Sequence, residues 1–442
     1  MDRAGYALAV LFAINMMNFF DRTIFGAIGE AIRKEWGLGD AAIGALGTAF
    51  TLLYAVVGVP FGRLSDRYPR TRIVAAGLFV WSFLTAASGL ARTYWQLFAV
   101  RLGVGIGEAT CAPASNSLIG DLFPNKKRAW ALSVFMLGLP IGNALAYAVG
   151  GPVTQAWGWR TAFFVAGLPG ILCVLAVLWL PEPARGMSED HSVGSRRRPG
   201  SPYALVLSIP TMWWLIASGA LHNFNMYAIA QFLSPFLIRF HHVSIRQAGL
   251  LSTLIYGLSG IGGLMVGGLA ADAAYHRRVD GRLLVGGTAI AIAAPLMFLA
   301  LGRGSGDVLG FAVLMGAGCG IMYVYYSCVY STIQDIIEPS LRGTAMALYF
   351  CAMYVLGASL GPLGTGLASD HFTAQAAAAA GVVARTPKAL EPFRAAGLHA
   401  AMYLIPTLFA LLAVVLFAAS RTVKRDVETL HTWMRQPAAQ QT

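Results

Sequence analysis

Long apolar stretches alternate with short polar segments along the whole chain. Stretches such as residues 73–90 and 163–180 have the length that a helix needs to cross a hydrocarbon core of roughly 30 Å. Because that core holds no water, a spanning segment must be a helix or a barrel strand. The stretches lack the period-two alternation of strands, so the pattern predicts an all-α integral membrane protein.

Twelve spans are predicted, six before and six after a polar linker. They cover about residues 6–29, 42–64, 72–91, 94–119, 128–150, 160–180, 211–236, 247–271, 283–301, 307–332, 342–367 and 398–420. The linker, residues 185–202, contains three consecutive arginines and is too short for a domain. We therefore expect two six-helix bundles, residues 1–184 and 203–442, the second with a short tail.

The distribution of basic residues predicts the orientation. With the N-terminus in the cytoplasm, inner segments hold roughly twice as many lysines and arginines as outer segments. This excess agrees with the rule that cytoplasmic loops of membrane proteins are richer in lysine and arginine. Both termini are therefore expected in the cytoplasm of a multi-pass protein of the cell inner membrane. We expect a monomer surrounded by membrane lipid.

Composition excludes several other classes of protein. Only 12% of the residues are charged, against about a quarter in soluble domains. The net charge of +12 comes from residues at helix ends, and no basic surface interleaved with aromatics indicates nucleic-acid binding. The five cysteines lack ligand-like spacing, and no nucleotide-binding or hydrolase motif is present. We expect no metal, no cofactor and no enzymatic activity.

Four charged residues lie well inside predicted spans: Asp21, Arg22, Arg101 and Glu108. Each costs roughly 2.5–3.5 kcal/mol at a helix centre, so each should face a partner or a wet cavity. Asp21 and Arg101 lie at similar depths, and Glu108 follows Arg101 on the same helix face about 10 Å deeper.

A carboxylate whose pairing with an arginine changes also changes its proton affinity. Our hypothesis is that Asp21 and Glu108 take up protons, with Arg101 as their switching partner. Arg22, together with Arg101, is a candidate for an outer gate or for binding an anionic group of the substrate. The alternative is a static ion network that fixes helix packing.

Polar and aromatic side chains supply the remaining binding candidates. In the second half these are His222, Asn223, Tyr323 and Tyr326, and in the first half Asn116 and Asn143. A packing role for each is left open. A charged first half facing an aromatic second half predicts an amphipathic cavity, suited to an anionic head and an apolar tail.

A weak internal repeat relates the two halves. Residues 62–72 read GRLSDRYPRTR, and residues 268–278 read GLAADAAYHRR, six predicted spans later. The first stretch resembles the loop signature of major facilitator transporters, with Pro69 where that family often has glycine. The resemblance implies a conformational latch formed by Gly62, Asp66, Arg67, Arg70, Gly268 and Asp272. The second copy is degraded after Asp272, so its latch is expected to be weaker.

Further motifs in the first half resemble the Spinster group of the major facilitator superfamily. They are NFFDR at 18–22, RLGVGIGEA at 101–109, SLIGDLF at 117–123, PIG at 140–142 and EPARG at 182–186. The resemblance covers most of residues 15–186 and is only generic beyond them. It implies the major facilitator fold, with the substrate site between the two six-helix halves.

The resemblance implies proton-coupled transport of a lysophospholipid or sphingoid phosphate by alternating access. A neighbouring group, the symporters of sugar acids and other organic anions, has a similar Asp-Arg pair in span one and R-x6-E in span four. A membrane receptor or scaffold on the same fold is the alternative of another class. The buried charges favour transport, because a scaffold has little reason to retain them.

Overall fold

The computed structural model describes residues 3–180, 182–184, 200–338, 341–384 and 386–435, apart from the side chains of 59, 62, 63, 65–67, 125, 126, 128, 129 and 435. Over this part of the chain the secondary structure is helical throughout, without strands. The helices are α1 (Arg3–Trp36), α2 (Asp40–Arg67), α3 (Arg70–Ser88), α4 (Tyr94–Glu108), α5 (Cys111–Leu122), α6 (Asn125–Met136), α7 (Gly138–Trp157), α8 (Trp159–Leu178), α9 (Pro202–Leu207), α10 (Pro210–Phe240), α11 (Ile245–Ser252), α12 (Ser259–Tyr275), α13 (Gly281–Leu301), α14 (Val308–Met322), α15 (Val324–Ile336), α16 (Arg342–Ala352), α17 (Leu360–Ala379), α18 (Pro387–Leu390), α19 (Arg394–Met402) and α20 (Leu404–Arg435).

Ten helical stretches of the described residues are long and apolar enough to cross a membrane, judged by length and composition. Predicted spans four and seven are not among them. Span four divides into the short helices α4 and α5, whereas α10 has 31 residues and carries polar side chains such as His222. The all-α architecture is confirmed. The count of twelve spans and the cytoplasmic termini stay predictions consistent with it, as does the division at residues 185–202, most of which lie outside the described residues.

Breaks in the helices occur at matching places in the two halves. Span four breaks after the 15-residue helix α4, directly behind Glu108, and span ten breaks at Tyr323 after the 15-residue helix α14. In the second half alone, two π-helical segments, Thr253–Leu258 and Met353–Ala358, also interrupt spans eight and eleven of the described residues. Irregular backbone at membrane depth is tolerated where protein or a cavity covers it, and π-helical turns often mark functional sites.

The two halves repeat one packing scheme. Helix α3 packs along α8 in the first half as α13 packs along α20 in the second. Helix α2 contacts α4, and α12 contacts α14 and α15, in the same relation. Spans one and seven occupy equivalent positions in this scheme and meet at the interface between the halves, where α1 contacts α10.

Contacts between the halves join α1 to α10, α2 to α17, and α7 to α11. They concentrate at the end that holds the turn between α1 and α2, which the basic residues predict to be outside; this is called the outer end below. Glycines allow the close approach. A Cβ on Gly44 would lie 2.3 Å from the carbonyl oxygen of Pro362, and one on Gly26 would lie 1.9 Å from that of Ala230.

Replacing Gly44 by alanine should therefore force α2 and α17 apart. We expect the closed outer end to lose about 1–3 kcal/mol, the usual cost of overpacking, with more molecules open at that end. Distances between spin labels at exposed positions 157 and 309, one in each half, measure the change.

The control is Gly58→Ala in the same helix, because a Cβ there meets no atom within 4 Å. Both substitutions raise helix propensity equally. Equal label distances in the two variants would contradict the packing argument.

Candidate functional site

Arg22 and Glu108 form a buried ion pair in the middle of the first half. Nε of Arg22 lies 2.7 Å from Oε2 of Glu108, and their side chains are 4% and 0% exposed. Glu108 is the last residue of α4, so the break in span four presents its carboxylate to α1. The sequence hypothesis made Arg101 the partner of Glu108; the structure places Arg22 there instead.

Aromatic rings surround the guanidinium of Arg22. Its Cζ lies 4.1 Å from the ring centroid of Tyr54 and 5.1 Å from that of Phe19. Nη1 donates a hydrogen bond to the Tyr354 hydroxyl at 3.3 Å. Tyr354 lies in the π-helical segment of span eleven. Arg22 thus links the proton-binding candidate Glu108 to the second half.

Asp21 and Arg101 are close, as the equal depths predict, but do not form an ion pair. Nη1 of Arg101 contacts the backbone carbonyl oxygen of Asp21 at 3.5 Å. The Asp21 carboxylate accepts a hydrogen bond from Thr85 of α3 at 3.3 Å. Asp21 therefore faces the interior of the first half, whereas Arg101 faces the interface between the halves.

A small cavity of about 40 Å³ lies at that interface. Both arginines line it, together with Thr23, Thr51 and Asn143 of the first half. The second half contributes Met226, Tyr227, Gln231 and Tyr256. Three phenylalanines of the first half, Phe19, Phe25 and Phe50, complete the lining, and the charged lining residues all come from that half.

The polar candidates differ in their surroundings. Asn143 lines the cavity and accepts a hydrogen bond from Thr23 at 2.7 Å. Asn116 is exposed on α5. Asn223 is buried and donates to the carbonyl of Gly219 within its own helix at 3.0 Å.

His222 and the two tyrosine candidates lie in or against the core of the second half. The His222 ring is buried and stacks on Tyr325 with centroids 4.0 Å apart. Tyr326 packs edge-on against His222 and contacts the sulfur of Met226, a cavity residue. Tyr323 is fully buried against Gly260. These positions favour packing for His222 and Tyr323 in this conformation, while Tyr326 supports the cavity wall.

An ion network closes the outer end, and the sequence analysis missed it. Arg239 of α10 reaches across to the first half, with Nη2 2.5 Å from Oε2 of Glu30 and Nη1 2.8 Å from Oδ2 of Asp40. All three side chains are at most 6% exposed. Predicted span one ends at residue 29, but α1 continues to Trp36. Glu30 therefore lies inside a buried helix and not in a polar loop.

The network continues through the segment between spans eleven and twelve. Arg33 of α1 pairs with Glu391 at 2.6 Å. Asp370 of α17 accepts hydrogen bonds from the first two backbone amides of α2, both at 2.9 Å, and pairs with Arg394 at 3.0 Å. A carboxylate at a helix N-terminus also interacts favourably with the helix dipole. These charges hold the two halves together at the outer end.

The predicted latch residues are only partly described. Gly62, Asp66 and Arg67 lie at the end of α2, with side chains outside the described part of the structure. Arg70 is fully buried at the start of α3, where it contacts Asp121 and lies 2.8 Å from Glu182.

The second half repeats this arrangement with a different arginine. Arg282, at the start of α13, contacts Asp335 near the end of α15, as Arg70 contacts Asp121 near the end of α5. It also lies 3.1 Å from the latch residue Asp272. Gly268 packs loosely, since a Cβ there would meet one atom at 3.9 Å. The degraded repeat motif thus retains its charge pairing through a residue ten positions after Asp272.

Glu182 binds the segment between α8 and the linker to the start of α3. Burial would raise the pKa of Glu182, but hydrogen bonds from the backbone and hydroxyl of Thr71, at 2.9 and 2.8 Å, and from Arg70 outweigh burial and hold the pKa below its usual value. A carboxyl with a lowered folded pKa stabilises the folded arrangement above its ordinary pKa, and this stabilisation is lost as pH falls through the lowered value.

We therefore expect a spin label on exposed Ala184 to be immobile at neutral pH and to gain mobility as pH falls below the ordinary glutamate pKa of about 4.3. In Glu182→Gln the label should be more mobile at neutral pH and respond little to acid. If Glu182→Gln keeps the full response to acid, a titratable group other than Glu182 causes that response.

Several known proteins are similar to this chain in sequence. The profile of the Major Facilitator Superfamily matches residues 11–362. Protein spinster homolog 1 of Mus musculus is 30% identical over 394 residues, 82% of this chain and 72% of the relative. The Sphingosine-1-phosphate transporter SPNS2 of Danio rerio is 27% identical over 82% of this chain and 76% of its own. An MFS-type efflux pump of Mycolicibacterium smegmatis is 28% identical over 84% and 86%.

Solved structures share the fold. The crystal structure of a bacterial homolog of the human lysosomal transporter Spinster, in an inward-facing and unoccupied conformation, matches with a TM-score of 0.86. It is 26% identical, and the match covers 96% of this chain and 98% of that one. A D-xylose–proton symporter, 15% identical with a TM-score of 0.73 over 94% and 98% of the two chains, shares the fold alone. The match over most of the length and the buried charges in spans one and four agree: the chain belongs to the major facilitator superfamily and is a multi-pass membrane transporter of the Spinster type.

Proposed function

We propose that the protein is a secondary active, proton-coupled transporter of an amphipathic anionic substrate, a lysophospholipid or a sphingoid phosphate. One observation carries the proposal: the two walls of the interface differ in chemistry. The first half contributes all the charges, the Arg22–Glu108 pair and Arg101. The second half contributes Met226, Tyr227 and Tyr256, and apolar rings of Phe19, Phe25 and Phe50 complete the lining. Such walls suit an anionic head and an apolar tail. A relative named as a sphingosine-1-phosphate transporter supports the same substrate class.

Proton coupling is assigned to the Arg22–Glu108 pair. Glu108 is buried and depends on Arg22 for its charge partner. An anionic substrate that recruits Arg22 leaves Glu108 unpaired in a medium of low dielectric, where the protonated form is favoured. Substrate binding and proton uptake are thereby linked. Asp21, held by Thr85, is proposed as the second protonation site.

Alternating access would use the outer ion network as one gate and the start of α3 and α13 as the other. With the network formed, the outer end is closed, and the substrate site communicates with the opposite side. We place the protein in the cell inner membrane as a monomer.

Transport into proteoliposomes under an imposed pH gradient tests this function. A labelled lysophospholipid, a sphingoid phosphate and a sugar acid are compared in parallel. Gradient-dependent movement of either lipid supports the proposal. Movement of the sugar acid alone overturns the substrate class, and movement of none of the three would favour a receptor or scaffold.

A further inference from the structure

Arg101 is a buried cation without an ion-pair partner in the described part of the chain. Its side chain is 1% exposed, and no carboxylate of the described residues lies within 4 Å of its guanidinium nitrogens. Nη1 has only the long contact to the Asp21 backbone carbonyl, and Nε has no hydrogen-bond partner. An unpaired buried charge is strongly unfavourable. The molecule retains it at a position that faces a cavity.

No carboxylate of the described segments lines the cavity beside Arg101, although Asp21 and Glu108 interact with its charge from a greater distance. Arg22 also lines it, but Glu108 neutralises that guanidinium at 2.7 Å. Asp21 is not among the lining residues. The volume of about 40 Å³ is several times the roughly 10–15 Å³ that one water molecule needs on the same measure. A phosphate or carboxylate group therefore fits.

A second polar side chain lines the same cavity from the other half. Gln231 of α10 is 6% exposed, and its Nε2 has no hydrogen-bond partner. Its amide reaches the first half where α1 and α2 carry glycines: Cβ atoms on Gly29 and Gly47 would lie 3.4 Å from Nε2 and Oε1 respectively. Arg101 and Gln231 therefore converge only while the outer end is closed.

We propose that this cavity binds the anionic group of the substrate, a phosphate or carboxylate, between Arg101 and Gln231. The inference rests on the proposed function for the claim that an amphiphile carries the group. Arg101 and Gln231 hold the anion in the cavity that Arg22 also lines. The bound anion therefore draws Arg22 away from Glu108 and triggers the proton uptake proposed above. Because the donors come from both halves, the bound anion also holds the outer end closed.

Replacing Gln231 by glutamate tests the site in the full-length protein. The new carboxylate can pair with Arg101 and occupy the cavity from within the chain. We expect Gln231→Glu to raise the melting temperature without ligand, whereas the loss of a merely structural glutamine would lower it. Binding of oleoyl lysophosphatidate should weaken about tenfold or more, which corresponds to about 1.4 kcal/mol. Binding of neutral monooleoylglycerol, with the same chain, should not change.

Inorganic phosphate distinguishes the free anion from the lipid headgroup. We expect it to raise the melting temperature of the wild type and not of Gln231→Glu. The control is Gln334→Glu on α15, which adds the same charge at an exposed position and should behave as the wild type.

Two outcomes separate this inference from the proposed function. If phosphate stabilises only the wild type and neither amphiphile binds, the anion site is supported and the proposal of an amphipathic substrate is wrong. If lysophosphatidate binds equally to wild type and Gln231→Glu, the proposal of an amphipathic substrate is supported and the anion site is wrong. A lower melting temperature of Gln231→Glu also overturns the site.

Discussion

Gradient-driven accumulation of substrate should be lost in Glu108→Gln, while exchange of substrate without a gradient continues. Glutamine keeps the size of the side chain and can still accept a hydrogen bond from Arg22, so the fold is retained. It cannot release a proton, so the link between proton uptake and the Arg22 pairing is removed. Without proton movement the gradient supplies no driving force for uptake. We therefore expect accumulation to fall to the level that exchange without a gradient reaches.

The matched control is Glu428→Gln on the exposed face of α20, which should accumulate substrate as the wild type does. Substrate exchange in each variant shows that the protein is folded and binds its ligand. Unchanged accumulation in Glu108→Gln, together with unchanged pH dependence, would remove Glu108 from the coupling mechanism.

Replacing Arg239 by methionine should open the outer end. Methionine has a similar length but no charge, so Glu30 and Asp40 would face each other in a buried site without a cation. Leaving buried charges unpaired costs about 3–5 kcal/mol, and only the closed state bears this cost. We expect the closed population to fall by roughly a hundredfold or more relative to the open one. The spin-label distance between positions 157 and 309 should lengthen.

Arg246→Met is the matched control, because Arg246 is exposed at the same end of the molecule. Adding Glu30→Gln and Asp40→Asn to Arg239→Met removes the unpaired charges and should restore much of the closed population. A label distance that stays at the wild-type value in Arg239→Met would mean that the glycine contacts alone close the outer end.

The sequence predicted the helical architecture and the family, because the lengths of the apolar stretches and the short motifs can be recognised without knowledge of the tertiary contacts. It also identified Asp21, Arg22, Arg101 and Glu108, since charges in apolar spans are conspicuous. It did not predict which charges pair. Arg22 and Arg101 both lie within reach of Glu108 by depth, and only the rotation of α1 about its axis decides between them.

The outer network escaped prediction for another physical reason. Glu30, Asp40 and Arg239 stand at the ends of apolar stretches, where the pattern alone assigns them to solvent. They can be buried because Arg239 of the second half pairs with Glu30 and Asp40 of the first half. A local sequence pattern does not predict such a long-range contact. The Lys and Arg count for topology treated Arg239 as an ordinary loop charge. Gln231 was missed because a single uncharged polar residue in a long helix is unremarkable until its neighbours are known.

The closed outer end also has a consequence for water. Opening it would hydrate Glu30, Asp40 and Arg239, which are almost dry when paired, so the open state should take up water. Osmolytes that are excluded from protein surfaces disfavour states with more hydrated surface. Concentrated sucrose on the outer side should therefore shift the protein towards the closed state and slow its cycle, an effect that requires no binding site for sucrose. The working rate of such a carrier would then depend on the osmotic strength of its surroundings as well as on proton and substrate concentrations.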